Sequence, residues 1–384
     1  MTTITDYELY RVPPRWLFLR LTTSDGLEGW GEPIVEGKAK TVAAAVEEML
    51  DTYLVGESPE PIADHWERLY RGGFYRGGPV LMSAIAGIDQ ALWDIKGKQL
   101  GTPVHTLFGG PVRTRVRVYQ WIGGDRPAAV AEQAEERLAD GLTALKMNAT
   151  PEFRPVESPA SVADAADRLG AVRDRVGPEV DIGVDFHGRV AKPMVKRLAA
   201  ALEPHEPMFI EEPLLPEHSG LLSSLASHTS IPIATGERLF HRTDFAPLLA
   251  NGSVDIIQPD LSHAGGITEV QRIAAMADAH DISLAPHCPL GPIAFASSIQ
   301  IDACAPNALI QEQSLNIHYN QGNDLLDYLA DPQAFAYEDG YVKVPDEPGL
   351  GVSLDLEYVR EKADTAEDWH NPIWRHEDGS VAEW

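Results

Sequence analysis

From about Val116 onward the sequence repeats one unit: a short apolar stretch ending in polar residues, then a segment of helical length. Eight such stretches can be read, at 116–121, 144–148, 181–186, 208–211, 231–234, 255–258, 283–285 and 308–311. The intervening segments carry helix signals. Asp125 is positioned to cap a helix with Pro127 in its first turn, running through Val130, Ala134 and Leu138 and stopping at Gly141. The next carries Val162, Ala165, Leu169 and Val172 and stops at Gly177-Pro178. Eight strands alternating with helices predict a (β/α)8-type barrel. An open doubly wound sheet is the competing α/β architecture, but no Gly-rich phosphate turn follows any strand.

The preceding residues read differently. Leu17 to Thr22 is β-rich, Asp25-Gly26 supplies a hairpin turn, and helical spacing follows in Val42, Val46 and Met49 and again from Ile85 to Ile95. The expected organisation is an α+β capping domain over 1–115 and a barrel domain over 116–330. A charged segment over 331–384, with Trp369, Trp374 and Trp384, is expected to return to the cap.

In a barrel of this type, chemistry collects at the C-terminal ends of the strands. Asp185, Glu211 and Glu237 recur there at intervals of 26 residues, about one βα unit. Three carboxylates at equivalent heights on neighbouring strands would repel one another and take up protons. A divalent cation relieves that repulsion, and an all-oxygen ligand set favours Mg²⁺ over zinc. Three solvated loop acids are the competing reading.

Other polar residues fall at the same rim. His187 lies two residues after Asp185, and Lys146 and Asn148 share one face of the second strand. Asp260 ends the sixth strand and His287 the seventh; an Asp beside a His orients the imidazole and keeps it basic enough to take a proton. Glu312 follows the eighth strand, as a loop acid or as a group acting on substrate oxygens opposite the metal. Cys288 and Cys304 are too few for a disulfide framework and lack zinc-site spacing, so both are expected to be small packed side chains.

These residues sit in motifs that resemble the enolase superfamily, in its mandelate racemase subgroup and, within that, the D-galactonate dehydratases. The resemblance rests on Asp185-Phe186-His187-Gly188-Arg189, Ile210-Glu211-Glu212-Pro213, Gly236-Glu237-Arg238, Gln258-Pro259-Asp260 and Pro286-His287-Cys288-Pro289. It extends from Arg15-Trp16 and Gly29-Trp30-Gly31-Glu32-Pro33 through Phe74-Tyr75-Arg76-Gly77-Gly78-Pro79 to Asn371-Pro372 and Trp374-Arg375-His376-Glu377. Racemases of the subgroup carry Lys-x-Lys on the second strand. Here the pair is Lys146-Met147-Asn148, so the second lysine base is absent, which disfavours two-base racemisation.

The resemblance implies one Mg²⁺ per subunit on Asp185, Glu211 and Glu237. Members of that superfamily pair a Lys or His base with Mg²⁺. It implies an aldonate substrate, D-galactonate first among gluconate and the pentonates. His287, held by Asp260, would be the base at C2, with Glu312 and Lys146 assisting at the carboxylate side and His187 the acid for the departing 3-hydroxyl. Asn148, Trp16, Tyr75 and Arg76 are the implied substrate contacts, the last three from the cap. A homo-oligomer is expected.

Acidic residues outnumber basic ones 58 to 31, giving a net charge of -27, dispersed along the chain. Such a surface disfavours nucleic acid. No stretch has the length and apolarity of a bilayer span, and the start lacks a signal-peptide pattern, so a cytoplasmic protein is expected. At low salt the charges repel one another, whereas at molar salt they are screened beyond about 3 Å. A host with a salt-rich cytoplasm accounts for this composition. The melting midpoint is therefore expected to rise from dilute buffer to molar KCl; equal midpoints would remove the halophilic reading.

Overall fold

The computed structural model describes residues 2–384. Strands β1 (Ile4–Val12), β2 (Trp16–Thr23) and β3 (Glu28–Gly31) form an antiparallel sheet in that order. The β2–β3 turn is tied by Thr23, whose hydroxyl donates to Asp25 at 2.6 Å, and Gly26 takes φ +84° there. Helices α1 (Ala39–Tyr53), α2 (Ile62–Arg71) and α3 (Pro79–Leu100) follow. Helix α3 is apolar on almost every side and lies between the small sheet and the rest of the molecule. Strand β3 crosses it so closely that a Cβ on Gly31 would stand 1.8 Å from the Gly87 carbonyl oxygen. The glycines of Gly29-Trp30-Gly31 are thus required by backbone approach.

Seven parallel strands follow in chain order: β4 (Arg115–Ile122), β5 (Ala144–Asn148), β6 (Asp181–Asp185), β7 (Phe209–Glu211), β8 (Ile233–Thr235), β9 (Ile256–Ile257) and β10 (Ser283–Leu284). The eighth, β11 (Gln311–Glu312), pairs with β4, while Ala308 just before it bridges Leu284. Residues 308–312 therefore join the two edges into a ring. Tyr119, Ala144, Phe209, Ala234, Ile256, Ala285 and Ile310, one from each strand segment except the third, pack together in its interior. Gly183 supplies the space on the third, where a Cβ would meet the Phe209 ring at 2.6 Å.

One expectation from the sequence is corrected, and the course of the tail is filled in. The first barrel helix spans Val130–Ala139, starting well beyond Asp125. Asp125 does not cap it, because its carboxylate is engaged by the Tyr319 hydroxyl and by His318. The segment after 330 touches the barrel on its way to the cap. The hairpin β12 (Tyr337–Glu338) and β13 (Tyr341–Lys343) pairs with the start of β4, where Arg115–Arg117 leave an edge free. The chain then reaches the cap, where Arg360 meets Glu8 and Asp368 meets Arg11 and Lys40. Its last residues bring Trp374 under Arg126 and Arg189 and Trp384 beside His187 at the barrel mouth.

Cap and barrel are joined by buried carboxylates placed at helix starts. Glu32, at the end of β3, accepts from the backbone N–H of Gly291 at 2.7 Å and of Ala294 at 3.0 Å, at the start of helix Pro292–Cys304. Asp89, on α3, accepts from the Thr268 N–H at 2.9 Å and its hydroxyl at 2.5 Å, in the first turn of helix Gly266–Asp278. Each satisfies donors that a helix start cannot pair internally. Gln90 links the two by accepting from the Glu32 N–H and donating to the Leu261 carbonyl. No described helix is long and apolar enough to cross a membrane.

Burial outweighs the Thr268 hydrogen bonds at Asp89 and pushes its carboxyl up to about 7. An unfolded Asp titrates near 4, so between about pH 4 and 7 the folded state binds the extra proton. This contribution to stability is present below that window and declines as pH rises through it. Urea unfolding of the wild type and Asp89→Asn at pH 5 and pH 8 should show the wild type losing stability relative to the variant at the higher pH. A gap independent of pH would contradict this account of Asp89.

Candidate active site

Strand register places the ladder. Asn148, Asp185 and Glu211 are direct partners on β5, β6 and β7, and Glu237 follows β8 by two residues. Asp185, Glu211 and Glu237 each offer a carboxylate oxygen, and these oxygens lie within 4.8 Å of one another. The chain turns sharply after the first two. His187 and Glu212, both non-glycine, take φ +52° and +39°, a left-handed geometry that occurs where surrounding structure overdetermines it.

The three acids carry unequal loads. Burial, then Glu211, pushes Asp185 well above the carboxylate range, and its Oδ2 is buried without a partner. Burial also raises Glu211 to about 7, against the pull of Lys146. Glu237 is held at about 2 despite burial, chiefly by His287 and then Arg238. A cluster with one orphaned oxygen and carboxyls pushed toward protonation has the donor set and the charge deficit that a hard divalent cation fills.

Lys146 and Glu312 come together beneath this cluster. The Lys146 ammonium lies 2.6 Å from both Glu211 and Glu312, wholly buried, with the Trp121 ring centroid 4.5 Å away. These two carboxylates outweigh burial and keep it cationic. Glu312 is fixed further by the Trp121 indole N–H at 2.5 Å and the Cys288 N–H at 2.9 Å. Neither Lys146 nor Glu312 lines the open cavity.

The two histidines differ in their partners. His287 Nδ1 is 2.8 Å from Asp260, whose other oxygen accepts from the Ser262 and His263 N–H groups. Its Nε2 stands 3.2 Å from Glu237. Burial would lower His287, but Glu237, Glu312 and Asp260 raise it to about 10. His187 is pushed down to about 3 by burial and by Arg189 and Arg238, with Glu237 opposing. Arg189 lies 3.1 Å from His187 Nδ1. An arginine only donates, so Nδ1 accepts and a neutral His187 carries its proton on Nε2.

A cavity of about 460 Å³ opens over the cluster. His187, His287, Glu237 and Asn148 line it; Asn148 donates to the carbonyls of Gly124 and Asp125. The cap candidates fall elsewhere. Trp16 is buried against Phe18 and Tyr328 as cap core. Tyr75 and Arg76 lie on an exposed loop away from the cavity wall, Tyr75 being 88% exposed. Arg15, Glu36, His263, His318, Tyr319 and Trp384 line the cavity instead. Of these His263 was detectable, three residues after Asp260. The others come from loops and the tail, which no periodicity marks.

Residues 129–359 match the family described as enolase C-terminal domain-like, and residues 13–109 the mandelate racemase/muconate lactonizing enzyme N-terminal domain. The chain belongs to the enolase superfamily. It is 55% identical to a D-galactonate dehydratase of Ralstonia nicotianae over 99% of this chain and 100% of the relative. It is 53% identical to one of Pectobacterium atrosepticum at the same coverage. Among solved structures, a mandelate racemase/muconate lactonizing enzyme from Sulfitobacter sp. superimposes with a TM-score of 0.90 at 29% identity, covering all of both chains. An enolase from Agrobacterium radiobacter, bound to sodium and L-malate, gives 0.89 at 31% identity over 99% of each chain.

Proposed function

We propose that this enolase-superfamily member is a galactonate dehydratase-like hydro-lyase that removes water from a sugar acid, D-galactonate first, to give the 2-dehydro-3-deoxy acid. The observation that carries the reading is the pairing of the carboxylate cluster with two histidines on one cavity, one held by Asp260 and the other by Arg189. Relatives at 51–55% identity named for this activity support it. The Agrobacterium structure supports the substrate class, since L-malate is itself a 2-hydroxy acid.

Asp185, Glu211 and Glu237 would hold Mg²⁺. When bound, the ion supplies positive charge that stabilises the enediolate formed as the C2 proton leaves. The residues of the chain do the rest. Uncompensated, Glu237 and Glu312 hold His287 protonated; with their charge offset by the cation, His287, its Nδ1 proton directed at Asp260, would present a free Nε2 to take the C2 proton. Lys146 fixes Glu211 and Glu312 by its ion pairs and offsets their charge from below. His187 would deliver its Nε2 proton to the departing 3-hydroxyl, which leaves as water, from the imidazolium form, and return to neutral imidazole. An anionic substrate beside it raises its affinity for that proton. Asn148 cannot serve as a second base, and its amide is already spent on two carbonyls, which disfavours racemisation. Gluconate or a pentonate is the alternative substrate, since the hydroxyl configuration is read by cavity walls and not by the cluster.

The roles separate experimentally. With Mg²⁺, His187→Asn should lower keto-acid formation from D-galactonate by about 10²–10⁴ while C2 hydrogen exchange with D₂O continues. His287→Asn should stop both. Full dehydration by His187→Asn would refute the acid assigned here. A panel of aldonates with and without EDTA ranks the substrates, and no keto acid from any of them would remove the dehydratase reading.

A further inference from the structure

On its cap side the cavity carries a charge pair that the chemistry above does not use. Arg15 ends the β1–β2 turn and Glu36 lies between β3 and α1, and both line the cavity. The Arg15 guanidinium is 3.7 Å from Glu36, with side-chain exposures of 4% and 16%. Arg15 is stacked on Tyr319 at 4.0 Å from the ring centroid, and its Nε is buried without a partner. The second Glu36 oxygen is 3.6 Å from His263. Burial would raise the Glu36 carboxyl, but His263 and Arg15 hold it well below the ordinary range, so the pair is ionised.

The other cations on the walls are matched in the same way. Arg238 lies 3.3 Å from Glu237, and His263 lies 3.6 Å from Glu36 and 3.9 Å from Asp260. Each cation at the cap-side end therefore already faces a carboxylate, and a second anionic group entering there meets Glu36 as well as Arg15. It offers a donor and an acceptor side by side. A hydroxyl both donates and accepts, and so fits an arginine–carboxylate pair; an ionised carboxylate only accepts, and meets Glu36 as a like charge. In a buried setting that repulsion is weakly screened.

We infer that Glu36 is a specificity-determining residue: by matching Arg15 it makes the cap-side end of the cavity a subsite for an uncharged, hydroxyl-bearing chain end and turns away sugar diacids. This rests on the sugar-acid reading of the same cavity. Removing the Glu36 charge alone would free Arg15 for bidentate pairing with a terminal carboxylate.

The test compares D-galactonate with galactarate on the Mg²⁺-loaded protein, by kcat/KM for keto-acid formation and by calorimetric binding. The wild type should favour the monoacid. Glu36→Gln should shift the ratio toward the diacid by at least about tenfold, mainly through the diacid's KM, and Glu36→Asp, which keeps the charge, should retain the wild-type preference. A Glu36→Gln ratio within twofold of wild type, or a wild type that takes both acids equally, would overturn the inference while leaving the dehydratase reading intact. Loss of turnover on both acids in the wild type would strike that reading instead, and the binding ratio would still decide the role of Glu36.

Discussion

Mutual repulsion among buried carboxylates is the constraint around which this molecule is organised. Asp185 and Glu211 are paired in register on adjacent strands and buried, and Glu237 enters from the next, half-buried at the cavity wall. Such a cluster is unstable unless positive charge is supplied within it. Lys146 supplies part from beneath, locked between Glu211 and Glu312. His287 and Arg238 supply part from the side, at Glu237. The remainder falls on Asp185, whose unpartnered oxygen and raised carboxyl mark where charge is still lacking. A bound cation would complete the balance, and in the proposed reaction the same charge would stabilise an enediolate.

The cap is attached by related physics. Glu32 and Asp89 satisfy the unpaired N–H groups at the starts of two barrel helices, so the interface is fixed by directional bonds as well as by apolar packing. That fixation sets the position of the loops bearing Arg15 and Glu36, and with them the cap-side end of the cavity. The tail adds a third source of wall residues by passing from the cap to the barrel mouth, where Trp384 meets His187.

How much of this was legible in the sequence follows from what kind of pattern each part obeys. The barrel was readable because strand and helix alternation is periodic, and the ladder because its three acids recur once per unit. The contact between Asp260 and His287 was legible because strand ends can be located. The first barrel helix was misplaced because Asp125 has the chemistry of a cap, while its actual partners, His318 and Tyr319, lie nearly two hundred residues away. Trp16 suggested a substrate contact by its motif, yet its burial depends on Phe18 and Tyr328, and Tyr328 is remote in the chain. The tail followed no period, so its course to the mouth emerged only from tertiary structure.

Calorimetric titration of Mg²⁺ tests the central claim most directly. The account predicts one site per chain in the wild type and loss of that site in Asp185→Asn, a near-isosteric change that removes the orphaned carboxylate charge, with the circular dichroism spectrum unchanged. A folded Asp185→Asn protein that still binds one Mg²⁺ with undiminished affinity would contradict it.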